Sequence, residues 1–156
     1  MRIFVFLGPL LLLLGCEEAR VENKDLSKKL VGEWRNIELQ IRMNTFNNTD
    51  SVQYFEANEG NWEEKMKIKP IRTFFYANGT YHSEHRNLKD SIIFDPGGKW
   101  VIYGDSLIMT DTFPELGLRY SYKLEIRNSL ARFWGREDCD RDGYADDEYY
   151  SAQWRH

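Results

Sequence analysis

The chain has 156 residues and a formal net charge of −4 at pH 7, so the basic footprint of a nucleic-acid-binding domain is not expected. A hydrophobic fraction of 42% excludes an intrinsically disordered chain. Aromatic residues at 15%, with eleven glycines and only four prolines, favour a β-rich domain with many turns.

In chain order, Met1-Arg2 is followed by an apolar run from Ile3 to Leu14 and then by Gly15. A basic opening, a short apolar run and a small residue are the layout of a secretory signal peptide, and the run is too short to span a bilayer as a helix. A buried N-terminal helix is the competing reading. It fails because the run is apolar on all sides and Glu17 to Lys29 is strongly polar. Leu13-Leu14-Gly15-Cys16 resembles the lipobox of bacterial lipoproteins, departing from it at Leu14, where a smaller or β-branched residue is commoner. The resemblance implies cleavage after residue 15, a diacylglycerol on Cys16 and an acylated new amino terminus, palmitate being one such acyl group. It also implies a place in the bacterial cell envelope, with the outer membrane as the expected site. One acyl chain gives marginal attachment, whereas several, at about 0.8 kcal/mol per buried methylene, give durable anchoring. Cys139 is the other cysteine, so a lipidated Cys16 leaves no intramolecular disulfide and the core alone must hold the fold.

Residues 16–31 read as the lipidated cysteine and a tether that ends in a short helical turn at Asp25 to Val31, with Asp25 as its cap. Residues 32–156 read as one domain. Its first strand opens at Gly32-Glu33-Trp34, and Ile37, Leu39, Ile41 and Met43 alternate with polar residues on one half-buried face. After a turn at Asn47 to Asp50, Val52 to Ala57 forms a second strand. Met66 and Ile68 alternate with lysines as an edge strand interrupted at Pro70, and Ile71 to Tyr76 continues it. Asn78-Gly79 predicts a two-residue type I′ hairpin turn. Asp95 to Gly98 predicts another turn, after which Trp100 to Tyr103 and Leu107 to Thr110 pair across Gly104-Asp105. Phe113 to Gly117 is a loop. Tyr120, Tyr122, Leu124 and Ile126 then alternate with Ser121, Lys123, Glu125 and Arg127 in the cleanest strand. Leu130 to Glu137 and Glu148 to Arg155 complete the set. Eight to ten strands with tight turns and no layer-forming helix are best satisfied by an all-β, antiparallel up-and-down barrel, because closure removes exposed sheet edges.

Three stretches carry a second resemblance. They are Gly32-Glu33-Trp34, then Phe75-Tyr76-Ala77-Asn78-Gly79-Thr80-Tyr81, then Gly98-Lys99-Trp100 with Gly104-Asp105-Ser106-Leu107 and Thr110. In order and spacing they resemble the lipocalin-like lipoproteins of bacteria. The resemblance implies a barrel closed at one end by Trp34 under a late arginine, for which Arg155 and Arg132 are the candidates and Arg155 is preferred. It also implies a small apolar or amphipathic ligand inside. Trp62, Trp100, Tyr120 and Tyr122 are the candidate pocket residues; the alternative is that these four are packed core.

The sharpest chemical signal is Asp138-Cys139-Asp140-Arg141-Asp142-Gly143-Tyr144-Ala145-Asp146. Carboxylates at positions one, three and five, glycine at six, a carbonyl at seven and an acid at nine match the start of a calcium loop. Asp138, Asp140, Asp142, Tyr144 (through its carbonyl) and Asp146 are therefore candidate Ca²⁺ ligands. Position twelve is Tyr149 instead of the bidentate glutamate, and the flanks are strands, so a weak extracellular-type site at about 10⁻⁴–10⁻³ M is expected instead of an EF-hand. An acidic solvent loop is the plain alternative. His82 and His85 would face opposite sides of one strand and share no metal.

No nucleophile–base pair, metalloprotease motif or nucleotide-binding loop can be named, so an enzyme is not expected and no cofactor is required. The leading expectation is a membrane-anchored envelope lipoprotein whose barrel binds a small amphipathic or apolar ligand. The alternative is a protein- or glycan-interaction module with a side-chain-filled barrel and a calcium-stabilised hairpin loop.

Overall fold

The computed structural model describes residues 21–114 and 117–156. The predicted signal peptide, Cys16 and the start of the tether lie outside the described residues, as do Glu115 and Leu116 of the predicted 113–117 loop.

The chain enters through helix α1 (Lys24–Leu30). Its cap is Asn23, whose side-chain oxygen accepts from the Leu26 N–H at 3.0 Å, and not Asp25. Asp25 sits instead in the first turn, where a carboxylate complements the helix dipole.

Strand β1 (Gly32–Met43) does not keep one phase of alternation. Its register against the last strand jumps between Asn36 and Glu38, so Ile37 is the extra residue of a β-bulge. Trp34 and Asn36 are buried before the bulge and Leu39 after it. The single face expected for Ile37, Leu39, Ile41 and Met43 is corrected accordingly: Ile37 leaves the row, and the even-numbered Trp34 and Asn36 join it.

Strand β2 (Gln53–Asn58) is followed by helix α2 (Trp62–Met66), where an edge strand was expected to begin at Met66. Met66 and Ile68 are too few to separate a two-residue period from a helical one. The i,i+4 pair Trp62 and Met66 places both apolar side chains on one helical face, where they pack against Leu39 and Ala57. Strand β3 (Arg72–Phe75) pairs with β4 (Thr80–Arg86). Their connection is not the expected type I′ turn. Gly79 has φ 79° while Asn78 keeps an ordinary negative φ, and the Gly79 N–H donates to the Tyr76 carbonyl while the Tyr76 N–H donates to that of Thr80. That is a three-residue loop with a left-handed glycine, stabilised by Asn78 Oδ1 accepting from the N–H and hydroxyl of Thr80.

Strands β5 (Ile92–Phe94), β6 (Gly97–Tyr103), β7 (Ser106–Phe113), β8 (Arg119–Arg127), β9 (Leu130–Glu137) and β10 (Asp147–Arg155) follow. Gly97 and Gly98, expected in a turn, belong to β6. The sheet runs β10-β9-β8-β7-β6-β4-β3-β1, and β10 pairs back onto β1. The fold is thus a closed antiparallel barrel of eight strands. β2 lies on the edge of β1 beyond β3, and β5 lies on β4, as two extra strands.

The interior divides along the barrel axis. One end is an apolar plug that includes Leu30, Trp34, Phe75, Trp100, Ile102, Leu107 and Leu124. Leu26 and Leu30 of α1 pack over it from outside the sheet. Each fully buried aliphatic or aromatic side chain here contributes about 1.5–3 kcal/mol of transfer free energy. Arg155 lies opposite Trp34 in register and its guanidinium stacks 4.6 Å from the centre of a Trp34 ring. The Trp34 Nε1–H donates to the Leu30 carbonyl at 2.6 Å, and Arg155 donates to the carbonyls of Lys29 and Val31. The helix end is thereby tied to the barrel floor. Arg132, the other candidate, sits on the outside beside Glu125.

Candidate ligand cavity and acidic loop

Beyond the plug the inward positions turn polar. On β10, Gln153, Ser151, Tyr149 and Asp147 alternate inward, and on β1 Asn36 lies opposite Gln153 in the register. Thr73 on β3 and Ser83 on β4 are cross-strand partners whose hydroxyls lie 3.0 Å apart. On the facing wall stand Met109, Tyr120, Tyr122 and Phe133. Between these walls lies a cavity of about 380 Å³, within the range of small-ligand sites. Phe94, Pro114 and Leu118 are at its rim.

Two carboxyl groups line this space from β7 and β9, the strands on either side of β8. Asp111 on β7 is buried, and the Tyr81 hydroxyl donates to its Oδ1; the Tyr120 hydroxyl lies 3.5 Å from its Oδ2. Burial, reinforced by the hydrogen bond to Asp111, holds the Tyr81 phenol far above its ordinary range. Glu137, at the end of β9, accepts from the Tyr122 hydroxyl. Burial raises the Glu137 pKa, against the opposing pull of that hydrogen bond. His85 also lines the cavity, its ring 5.2 Å from that of Phe94, and burial lowers its pKa against the attraction of Asp95. His82 points the other way, toward Tyr76 and Phe74.

The tyrosine wall depends on one glycine. A Cβ at Gly135 would stand 2.7 Å from Tyr122 Cδ1. The missing side chain on β9 is what lets the Tyr122 ring lie across its cross-strand neighbour, parallel to Tyr120 and next to Tyr149.

Of the four candidate pocket residues, Trp62, Tyr120 and Tyr122 line the cavity and Trp100 does not. Trp100 belongs to the apolar plug, with its Nε1–H donating to the Thr80 carbonyl at 2.9 Å. The polar lining has no signature in the sequence. Ser151 and Gln153 occupy the inward phase of β10, a phase that in sequence is assigned by its apolar members, and here the apolar Ala152 and Trp154 take the other one.

No family model, curated protein or solved structure matches this chain.

The acidic stretch forms the β9–β10 loop and clasps the loop that follows β1. Asp147 is fully buried, with Oδ1 accepting from the Asn44 N–H at 2.9 Å and Oδ2 from the Cys139 N–H at 2.8 Å. Asp140 accepts from the N–H groups of Asn47 and Asp142. Asn47 and Asn48 can offer their N–H groups because both have left-handed backbone, φ 51° and 59°. Asp138, Asp140 and Asp147 each bring a carboxylate oxygen within 4.8 Å of the others. Of the expected ligand set, Asp138 and Asp140 thus come together. Asp142 instead accepts from the N–H groups of Tyr144 and Asn48, and Asp146 from the Thr45 hydroxyl. Asp147, which was not in the expected set, completes the cluster. Cys139 between these acids has its thiol pKa pushed up to about 12, by burial first and the surrounding carboxylates second.

Proposed function

We propose that the protein is a membrane-anchored, non-catalytic envelope lipoprotein that holds a small amphipathic molecule inside its barrel. The observation that carries the reading is the cavity of about 380 Å³ between the apolar plug and the rim, lined on one side by aromatic rings and on the other by hydroxyls and amides. A barrel of eight strands either fills its interior with side chains or encloses one small ligand, and an unfilled, partly polar interior favours the second. Attachment rests on the lipobox-like Leu13-Leu14-Gly15-Cys16. Native mass spectrometry of the protein purified from its own membranes tests both parts: an acylated N-terminal peptide beginning at Cys16 and a non-covalent adduct released on unfolding are expected. A mature chain beginning elsewhere and carrying no adduct would refute the reading.

A second reading concerns the acidic loop, and the convergence of Asp138, Asp140 and Asp147 favours it. We propose that a calcium ion bound there holds the β9–β10 loop against the loop after β1. Binding to the folded state alone with Kd near 0.1 mM would add about 2.7 kcal/mol in 10 mM calcium. Melting in calcium against chelator measures it; equal melting temperatures would show the clasp to be held by hydrogen bonds alone.

A further inference from the structure

We propose that the barrel cavity is selective for a small organic cation bearing further hydrogen-bonding groups, and that it rejects anionic amphiphiles such as fatty acids. This rests on the small-molecule reading of the barrel and names the chemistry of its occupant.

Charge is the first ground. Among the described residues lining the cavity, the groups that can carry charge near neutral pH are Asp111, Glu137, His85 and Arg141. Two are acids in the interior. Arg141 is exposed, on the acidic loop. His85 is held in its neutral form by burial. An entering carboxylate would share a low-dielectric space with the carboxyl groups of Asp111 and Glu137 and meet no buried cation, and a further negative charge there is unfavourable away from water. An ammonium group meets the reverse situation.

The lining supplies the second ground. Tyr120 and Tyr122 lie parallel with centroids 6.3 Å apart, and Tyr149 packs 5.4 Å from Tyr122. Ring faces carry partial negative charge and attract cations, most strongly where water is excluded. Aromatic rings and carboxylates in one cavity are the two protein groups that stabilise an organic cation, and here they share a wall.

Unpartnered polar atoms are the third. Trp62 is 1% exposed and Gln153 8% exposed, and both line the cavity. Trp62 Nε1, a donor, and Gln153 Oε1, an acceptor, are buried without a hydrogen-bond partner. Buried polar groups are nearly always satisfied, so each calls for an atom on the occupant. A plain hydrocarbon chain would leave both unpaired; a polar cation with its own donor and acceptor would not.

Three probes that share a phenethyl skeleton and differ in charge test this: phenethylammonium, 2-phenylethanol and 3-phenylpropionate, titrated calorimetrically into the full chain at pH 7. The cation is expected to bind at least about tenfold more tightly than the alcohol, a difference of about 1.4 kcal/mol, and the anion more weakly than either. Asp111→Asn should narrow the gap between cation and alcohol to less than about twofold, by weakening the cation more than the alcohol. Glu137→Gln, at the other end of the tyrosine wall, is the second variant should Asp111→Asn fail to fold by circular dichroism, and the same narrowing is expected. Binding of 3-phenylpropionate as tight as that of the cation, or loss of all binding equally in a folded variant, would overturn the charge selectivity and leave the barrel a small-molecule site. No binding of any probe, with a native mass spectrum free of adducts, would overturn the small-molecule reading together with it.

Discussion

Trp34 is the side chain on which the closed end of the barrel is assembled. It is fully buried, donates to Leu30, and carries the Arg155 guanidinium on its face. Trp34→Ala should cost about 3–5 kcal/mol in urea unfolding, the range for removing a large buried aromatic. Arg155→Lys should retain the charge but lose planar stacking and part of the fork of donors to Val31 and Lys29, destabilising by about 1 kcal/mol. His85 governs a pH effect of definite sign. Burial depresses its folded pKa below the ordinary value near 6.5. Its contribution is therefore fully present above that value and is lost as pH falls through it toward the folded pKa, because the unfolded chain takes up the proton first. Melting curves from pH 8 down to pH 5 should show wild type falling relative to His85→Gln only in the acidic part of the range. A constant offset across the range would place His85 in contact with water. Trp34 and the preferred Arg155 could be named from sequence only through the resemblance carried by Gly32-Glu33-Trp34; their contact itself is seen in the stacked guanidinium. His85 could be assigned a side of its strand but not an environment, since that depends on Phe94 and the β5 flap.

At the scale of elements, the decisive feature is the clasp between the β9–β10 loop and the loop after β1. Asp147 is fully buried and joins the two through Asn44 and Cys139. Asp147→Ala leaves two N–H groups without their acceptor and should cost about 3 kcal/mol, each unsatisfied buried donor costing about 1–3; chemical denaturation without calcium measures it. Asp140→Ala removes bonds to more exposed donors and should cost under about 1 kcal/mol in chelator. It should, however, abolish the calcium-induced rise in melting temperature. The D-x-D-x-D-G spacing identified this loop in the sequence. The third acid of the cluster was not legible there, because Asp147 stands at the first position of β10 and is turned inward only by the strand register. The helix at Trp62–Met66 escaped for a different reason. Five residues hold a single turn of periodicity, and packing against Leu39 and Ala57 decides the conformation where propensity does not.

For the whole molecule, closure rests on β1 and β10, which lie at opposite ends of the chain and pair from Trp34↔Arg155 to Arg42↔Glu148. Neither the plug nor the cavity exists until that seam forms. Unfolding should therefore be a single transition, with far-ultraviolet circular dichroism and tryptophan fluorescence coinciding. Truncation before Asp147 should abolish the folded signal altogether instead of leaving a smaller barrel. Two separated transitions would show that the sheet from β3 to β9 is stable while open.

The sequence by itself determined the class of fold, because alternation in the later strands, tight turn signals and the lack of a long amphipathic helix leave a closed antiparallel sheet as the economical way to bury one face. It also determined that the first strand begins at Gly32-Glu33-Trp34, and it marked the acidic loop. Only the tertiary structure decided what the inside of the barrel is made of. The bulge at Ile37 changes which residues of β1 face inward, and the register of β10 turns Ser151 and Gln153 into the space that apolar residues would otherwise fill. Gly135 makes room on β9 for the Tyr122 ring. Alternation says that a strand has two faces; which face meets the interior depends on partners distant in the chain, and a shift of one residue exchanges them. The cavity, with Asp111 and Glu137 beside a wall of tyrosines, is the product of those registers.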